Sequence, residues 1–402
     1  MGYHRTPARM KLVLLSLLYF AEGLPFGFQS IALPVYLRES GSSLVAIGFL
    51  STLSLPWMLK PLWAPLVDGY GATRRAWILP LLAGVAASCA AAGLVDPKSG
   101  SGLALLLALI FAMNLFAATL DIAVDGLAVD LLSRRELGGG NAAQVVGYKW
   151  GMLTGGSLFL WASTYLPWRV LLGGMAVVVL AVMLAAAVIP ATRTRAAAPQ
   201  PLRDVIADLV RALRAPGSGG LIAFLVTYKL GETMATVMWK PFLVDAGFTK
   251  GFIAEVSGTW GMGASILGSL GGGWLASNVR LRTALLIPAV ARLVPMAAQV
   301  FVVMAPTVIG VKLVTSAENF AGGALTTVVF AMMMARVNKK IGASHYTALA
   351  AVEVAGKLPG GWLAGPIAQG LGYPALYLAA VVATVLVVVP ILRVRAERDA
   401  DG

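Results

Sequence analysis

Two aspartates four residues apart, Asp121 and Asp125, lie inside the apolar run 103–132. That spacing puts both on one face of a helix, and in a low dielectric two neighbouring carboxylates cannot both ionise cheaply, so one of them holds a proton. Asp125 lies about seven residues from the end of its run, as do Lys60 and Lys149 in theirs. At roughly 1.5 Å per helical residue the three share a depth and could form one ionic cluster, which reads equally as a proton site or as a buried latch. Other charges sit in similar runs: Glu22, the Lys229/Glu232 pair three apart, Lys312 and Glu318, and Glu353/Lys357 four apart. The last spacing, with Glu on the N-terminal side, favours a helix ion pair, so these pairs either neutralise themselves or hold a ligand. Tyr19, Gln29, Asn114, Tyr148 and Asn319 could hydrogen-bond sugar, amide or carboxyl groups at that depth. A carboxylate at Glu22 opposed by an ammonium at Lys229 would suit a polar, anionic small molecule that carries its own donors. The chemistry on offer is proton exchange and anion binding.

The elements that position these groups are set by composition. Of 402 residues, 58% are hydrophobic and only 12% charged, so the lipid bilayer is the solvent. A crossing helix needs about 20 mostly apolar residues. Apolar runs predict twelve spans, near 10–37, 44–67, 77–95, 103–132, 142–165, 168–189, 218–241, 251–276, 283–304, 306–336, 344–368 and 373–393. Charged loop residues set the orientation: with the N-terminus inside, twenty Lys and Arg face the cytoplasm and only Arg38, Lys98, Arg169 and Lys250 face out. Both termini are therefore expected in the cytoplasm, and the N-terminal segment reads as a retained first helix rather than a cleaved signal peptide.

The net charge of +13 is dealt out between spans instead of gathered on one water-facing surface, which argues against nucleic acid as a partner. No metal-ligand spacing and no Ser/His/Asp arrangement is present, so the reading is not an enzyme and needs no metal or cofactor. The single cysteine, Cys89, allows no internal disulfide. His345 opens the eleventh span and reads as passive.

Two halves repeat at an offset of about 207 residues: Pro34 falls over Pro241, Asn114 over Asn319 and Gly155-Gly156 over Gly360-Gly361. The expected organisation is a six-helix bundle over 1–190, a cytoplasmic linker with an amphipathic helix over 191–217, and a second six-helix bundle over 218–402. Glycines at Gly23, Gly155-Gly156, Gly271 to Gly273 and Gly360-Gly361 allow close helix approach.

The loop after the second span, Trp63-Ala-Pro-Leu-Val-Asp68-Gly-Tyr-Gly71-Ala-Thr-Arg74-Arg75, resembles a degraded copy of the gating motif of the major facilitator superfamily. Ala64 stands where a glycine is usual, Gly69 replaces a basic residue, and the two arginines come late. A sharper resemblance runs through Glu22-Gly-Leu-Pro25, Ile47-Gly-Phe49, Leu59-Lys60-Pro-Leu-Trp63, Asp121-Ile-Ala-Val-Asp125, Asp130-Leu131 and Gly147-Tyr148-Lys149-Trp-Gly-Met152. Together these motifs are similar to the peptide–acetyl-CoA–drug transporter family, which includes muropeptide permeases and acetyl-CoA transporters.

That resemblance implies a proton-driven secondary transporter of the major facilitator fold and makes Asp121, Asp125 and Lys149 its functional positions. With the charges and polar groups read above, the expected proton-coupling groups are Asp121, Asp125 and Glu22, the expected gating residues Lys60, Asp68, Arg74 and Arg75, and the expected substrate-binding residues Tyr19, Glu22, Gln29, Asn114, Tyr148, Lys149, Lys229, Glu232, Glu318, Asn319, Glu353 and Lys357. In such a bundle the third helix of each repeat mostly faces lipid, so Arg292 in the ninth span reads as structural. The implied cargo is a polar anion such as an anhydro-muropeptide. The alternatives are an acetyl-CoA-like or nucleotide-like anion, or a sensor that binds without transporting. The expected setting is a monomer in a bacterial inner membrane.

Overall fold

The structure is a computed structural model that describes residues 7–69, 73–97, 101–132, 137–193, 203, 207, 210, 211, 214, 218–336 and 342–393. Among these residues every regular element is helical. Among the described residues eight helices are long and apolar enough to cross a membrane: Arg9–Glu39, Leu44–Leu62, Arg75–Gly93, Gly102–Leu131, Trp168–Val188, Ser218–Asp245, Leu281–Met304 and Ala348–Leu386. Further helical stretches are Leu137–Met152, continued by a π-turn at Leu153–Leu158 and by Phe159–Ala162, then Lys250–Glu255 through Val256–Met262 to Gly263–Asn278, and Val308–Arg336. The last helix, Gly342–Arg393, breaks at Gly372, where φ 84° and ψ 167° are open to glycine alone. The expected linker over 191–217 lies largely outside the described residues, as does the side chain of His345.

Two elements depart from straight helices where the sequence carries proline. After Pro25 the first span widens into a π-turn over Phe28–Ala32, which carries Gln29. The second span alternates short α and 3₁₀ turns around Pro56 and Pro61, and Lys60 opens one of the 3₁₀ turns. A broken helix of this kind is tolerated at membrane depth only where it is covered by protein or lines water.

The chain forms two compact units, one of Met1–Leu33 with Leu53–Leu202, the other of Pro34–Thr52 with Arg203–Gly402. The segment 34–52, expected with the first bundle, is held in the second unit by several contacts. Gly48 packs on the backbone of Gly361 and Gly365, and the Trp362 indole donates to Thr52 Oγ1 at 2.9 Å. Arg38 pairs with Asp245 at 2.5 Å, and Lys250 with Glu39 at 2.9 Å.

Inside each unit a glycine seam lets two helices touch backbone to backbone. In the first, Gly147, Gly151 and Gly155 face the carbonyls of Ser16, Phe20 and Leu24, with Gly23 and Gly27 answering from the other side. In the second, Gly356 faces the carbonyl of Val226 and Gly360 that of Leu230. Phe20 and Gly151 thus recur as Val226 and Gly356, and Leu24 and Gly155 as Leu230 and Gly360, so the sequence repeat is also a repeat of packing. Asn114 and Asn319 complete the correspondence, each donating to the carbonyl four residues back at 2.9 Å.

Candidate functional site: two buried charge networks

The glycine seam fixes how the first and fifth helical stretches are rotated toward each other, and so which side chains meet. Tyr148 follows Gly147 on the seam's flank, whereas Lys149 lies two residues from both Gly147 and Gly151 and therefore nearly opposite them on its helix. Lys149 accordingly forms no ion pair among the described residues. The expected cluster of Asp125, Lys60 and Lys149 is corrected in that respect: the lysine that joins the carboxylates is Lys60 alone.

Lys60 pairs with Asp121, and its ammonium also lies 5.4 Å from the Trp57 ring centroid. Asp125, one turn further along, accepts from the Tyr19 hydroxyl at 2.7 Å and from Gln144 Nε2 at 3.3 Å. Tyr19, expected to touch substrate, is thereby a partner of Asp125. Glu22 is fully buried, 0% exposed, and neither carboxylate oxygen has an N–H or hydroxyl donor; its hydrogen-bonding neighbour is the carboxyl group of Asp121. The charges acting on it are those of Asp121, Asp125 and Lys60. Three carboxyl groups thus face one ammonium among the described residues, and an ionised carboxylate with no donor is costly when buried.

Around this cluster, Gln29 Nε2 donates to Ser54 Oγ at 3.2 Å and its Oε1 is buried without a donor. Asn114 accepts from the Trp57 indole at 3.2 Å. At one end of helix Gly102–Leu131, Arg74 pairs with Asp130 at 2.9 Å and packs over Gly126, where a Cβ would meet the guanidinium. Arg75 reaches across to Thr192 Oγ1 at 3.0 Å and to the carbonyl of Ala187. These two arginines tie helix Arg75–Gly93 to two neighbouring helices of the same unit, while the Asp68 side chain lies outside the described residues.

The second unit carries a larger and balanced network. Arg292, 2% exposed, bridges Glu232 and Glu318, and Lys229 donates to both Glu232 oxygens at 2.7 Å and to Thr326 Oγ1 at 2.8 Å. Glu353 pairs with Lys357 at 2.8 Å and accepts from the Tyr228 hydroxyl at 2.9 Å. Lys229, Glu232, Glu318, Glu353 and Lys357 therefore engage one another or Arg292 in this structure, and Arg292 is the hub. Sequence reasoning missed Gln144 and Trp57. Trp57 was findable as an aromatic three residues before Lys60 in a proline-broken helix.

The family model described as Major Facilitator Superfamily matches residues 15–315. The chain belongs to that superfamily. It is 30% identical over 391 residues to the anhydromuropeptide permease of Escherichia coli K12, covering 95% of this chain and 79% of the permease. Among solved structures it resembles a bacterial homologue of the human lysosomal transporter Spinster, with TM-score 0.72, 14% identity, and 98% of this chain and 97% of that one covered. It likewise resembles the nucleoside transporter NupG, with TM-score 0.74, 12% identity, and 96% and 100% covered. The chain is an AmpG-like member of the superfamily, a multi-pass transporter of the bacterial inner membrane and not an enzyme.

Proposed function

We propose that this chain is a proton-coupled symporter that moves anhydro-muropeptides by alternating access. The observation that carries the coupling is the excess of carboxyl groups around Lys60. Glu22 has no ion pair of its own and no N–H or hydroxyl donor, and Asp125 is held by two neutral donors, so protons can be taken up and released while Lys60 stays paired with Asp121. The cargo assignment rests on similarity to the E. coli permease over nearly the whole chain. Such a cargo offers sugar hydroxyls, amides and peptide carboxylates, which suit the polar groups at Gln29, Asn114 and Tyr148.

The same reading takes the chain as twelve spans in two six-helix bundles, 1–190 and 218–402, joined by the linker 191–217, with both termini cytoplasmic and a monomer as the working unit. The eight apolar helices support that number, together with the three further helical stretches and the division of the last helix at Gly372. Arg74 and Arg75 serve as the gate at the cytoplasmic ends of their helices.

The test is uptake of labelled anhydro-muropeptide into proteoliposomes under an inward proton gradient. Wild-type protein is expected to accumulate the label, and Asp125→Asn to lose accumulation. Uptake that ignores the gradient would refute coupling, and no uptake by folded protein would refute the cargo.

A further inference from the structure

The ionisable groups of the second unit can be matched one against another. Glu232 and Glu318 are answered by Lys229 and Arg292, Glu353 by Lys357, Glu255 by Lys312 at 2.7 Å, Asp245 by Arg38 and Glu39 by Lys250. Among the described residues inside the membrane helices of this unit, one lysine has no such partner. Lys240 lies within the helix Leu230–Asp245, half-buried, and forms no ion pair or hydrogen bond among the described residues. Glu318 is within its electrostatic reach, but that carboxylate is already committed to Arg292.

The helix shows where Lys240 stands. Four, seven and eleven residues before it come Thr236, Thr233 and Lys229, the spacing of one helix face. Thr236 is exposed and Thr233 half-buried, whereas Met234, Ala235, Met238 and Trp239 on the other side are buried. The buried side is fixed by the Tyr377 hydroxyl donating to the Ala235 carbonyl at 3.2 Å and by the Trp239 indole donating to Thr315 Oγ1 at 3.0 Å. The accessible side is thus a polar strip of two hydroxyls ending in a surplus ammonium. An ammonium facing hydrocarbon is expensive, and intramembrane charges normally face water or a partner.

Resting on the transport reading above, we propose that Lys240, with Thr236 and Thr233, is an anion-binding strip that takes a carboxylate of the transported solute. The argument is charge complementarity: around Lys60 in the first unit carboxyl groups are in excess and suit protons, whereas inside the spans of the second unit Lys240 is a cation with no paired carboxylate among the described residues and suits an anion. Lys229 is held by Glu232 and Thr326, so Lys240 is the cation of this helix that a solute can reach without breaking an existing pair.

Two measurements on full-length protein in proteoliposomes test this. The first is solute exchange without a proton gradient, using labelled anhydro-muropeptide and the same molecule with its peptide carboxylates amidated. Lys240→Gln should raise KM for the acid form about tenfold, worth about 1.4 kcal/mol, and change KM for the amide less than about twofold, while Lys240→Arg stays within about threefold of wild type. An unchanged KM, or equal changes for both forms, overturns the proposal. The second measurement needs no knowledge of the cargo: Thr236→Cys in a Cys89→Ala background is modified by an anionic and by a cationic methanethiosulfonate. The anionic reagent should react faster, and adding Lys240→Gln should remove that preference. No reaction at Thr236→Cys, or equal rates with Lys240 intact, overturns the strip. If wild-type protein exchanges no muropeptide, the proposed cargo fails, and the modification rates still decide whether Lys240 draws anions.

Discussion

Glu22→Gln separates the proton from the carboxyl group that holds it. Glu22 is fully buried, no N–H or hydroxyl donor reaches its oxygens, and its charged neighbours include the two carboxyl groups of Asp121 and Asp125. Held there as an anion it would cost several kcal/mol, on the order expected for a buried unpaired ion after relaxation. Held as a neutral acid it costs far less, and glutamine matches its size and neutrality. Glu22→Gln is therefore expected to leave folding within about 1 kcal/mol of wild type, because one neutral hydrogen-bonding group replaces another. Transport should respond differently. With one proton per solute, an inward gradient of one pH unit supports about tenfold accumulation, since a pH unit is worth about 1.4 kcal/mol. Glu22→Gln should bring the accumulation ratio down to about one while solute exchange across the membrane continues. The assay pairs thermal unfolding in detergent with uptake and exchange in proteoliposomes. Tenfold accumulation by Glu22→Gln would refute the proton store, and so would a loss of several kcal/mol, which would mean that the native group is charged and bound.

Lys60→Met strands Asp121 as a buried carboxylate and is expected to destabilise the fold by about 3 kcal/mol, with Asp121→Asn in the same chain recovering most of it; unfolding of the single and double variants measures this. Arg292→Met releases both Glu232 and Glu318 and should be the more damaging change, by more than about 3 kcal/mol, with the triple change Arg292→Met, Glu232→Gln, Glu318→Gln less damaging than the single one. Gly151→Val drives side-chain atoms into the Phe20 carbonyl and is expected to cost about 2 kcal/mol or more by thermal unfolding, whereas Gly173→Val, where a Cβ meets nothing within 4 Å, should cost little.

The helical class and the apolar spans were legible because the bilayer imposes one length and one composition on every crossing helix. The shared face of Asp121 and Asp125 was legible because four residues make about one turn. Depth alone misled at Lys149: it counts residues along a helix and says nothing of rotation about the axis. The rotation was written in Gly147, Gly151 and Gly155, whose four-residue spacing marks the side that meets the first span and turns Lys149 away. In the second half, the pairs Lys229/Glu232 and Glu353/Lys357 could be read because their partners are local. Arg292 read as structural, but its two carboxylates come from different helices, and no spacing in the sequence shows which helices will meet. The segment 34–52 belongs by repeat to the first half and packs with the second unit, because its contacts at Gly361, Gly365 and Asp245 are long-range.

The central claim is that solute and proton cross together, and its most direct test follows the proton. Wild-type proteoliposomes carrying a pH-sensitive dye inside, with equal pH on both sides, receive anhydro-muropeptide outside. The account predicts acidification of the lumen as the solute enters, abolished by Glu22→Gln and by Asp125→Asn. Entry of labelled solute with no change in lumenal pH would contradict it.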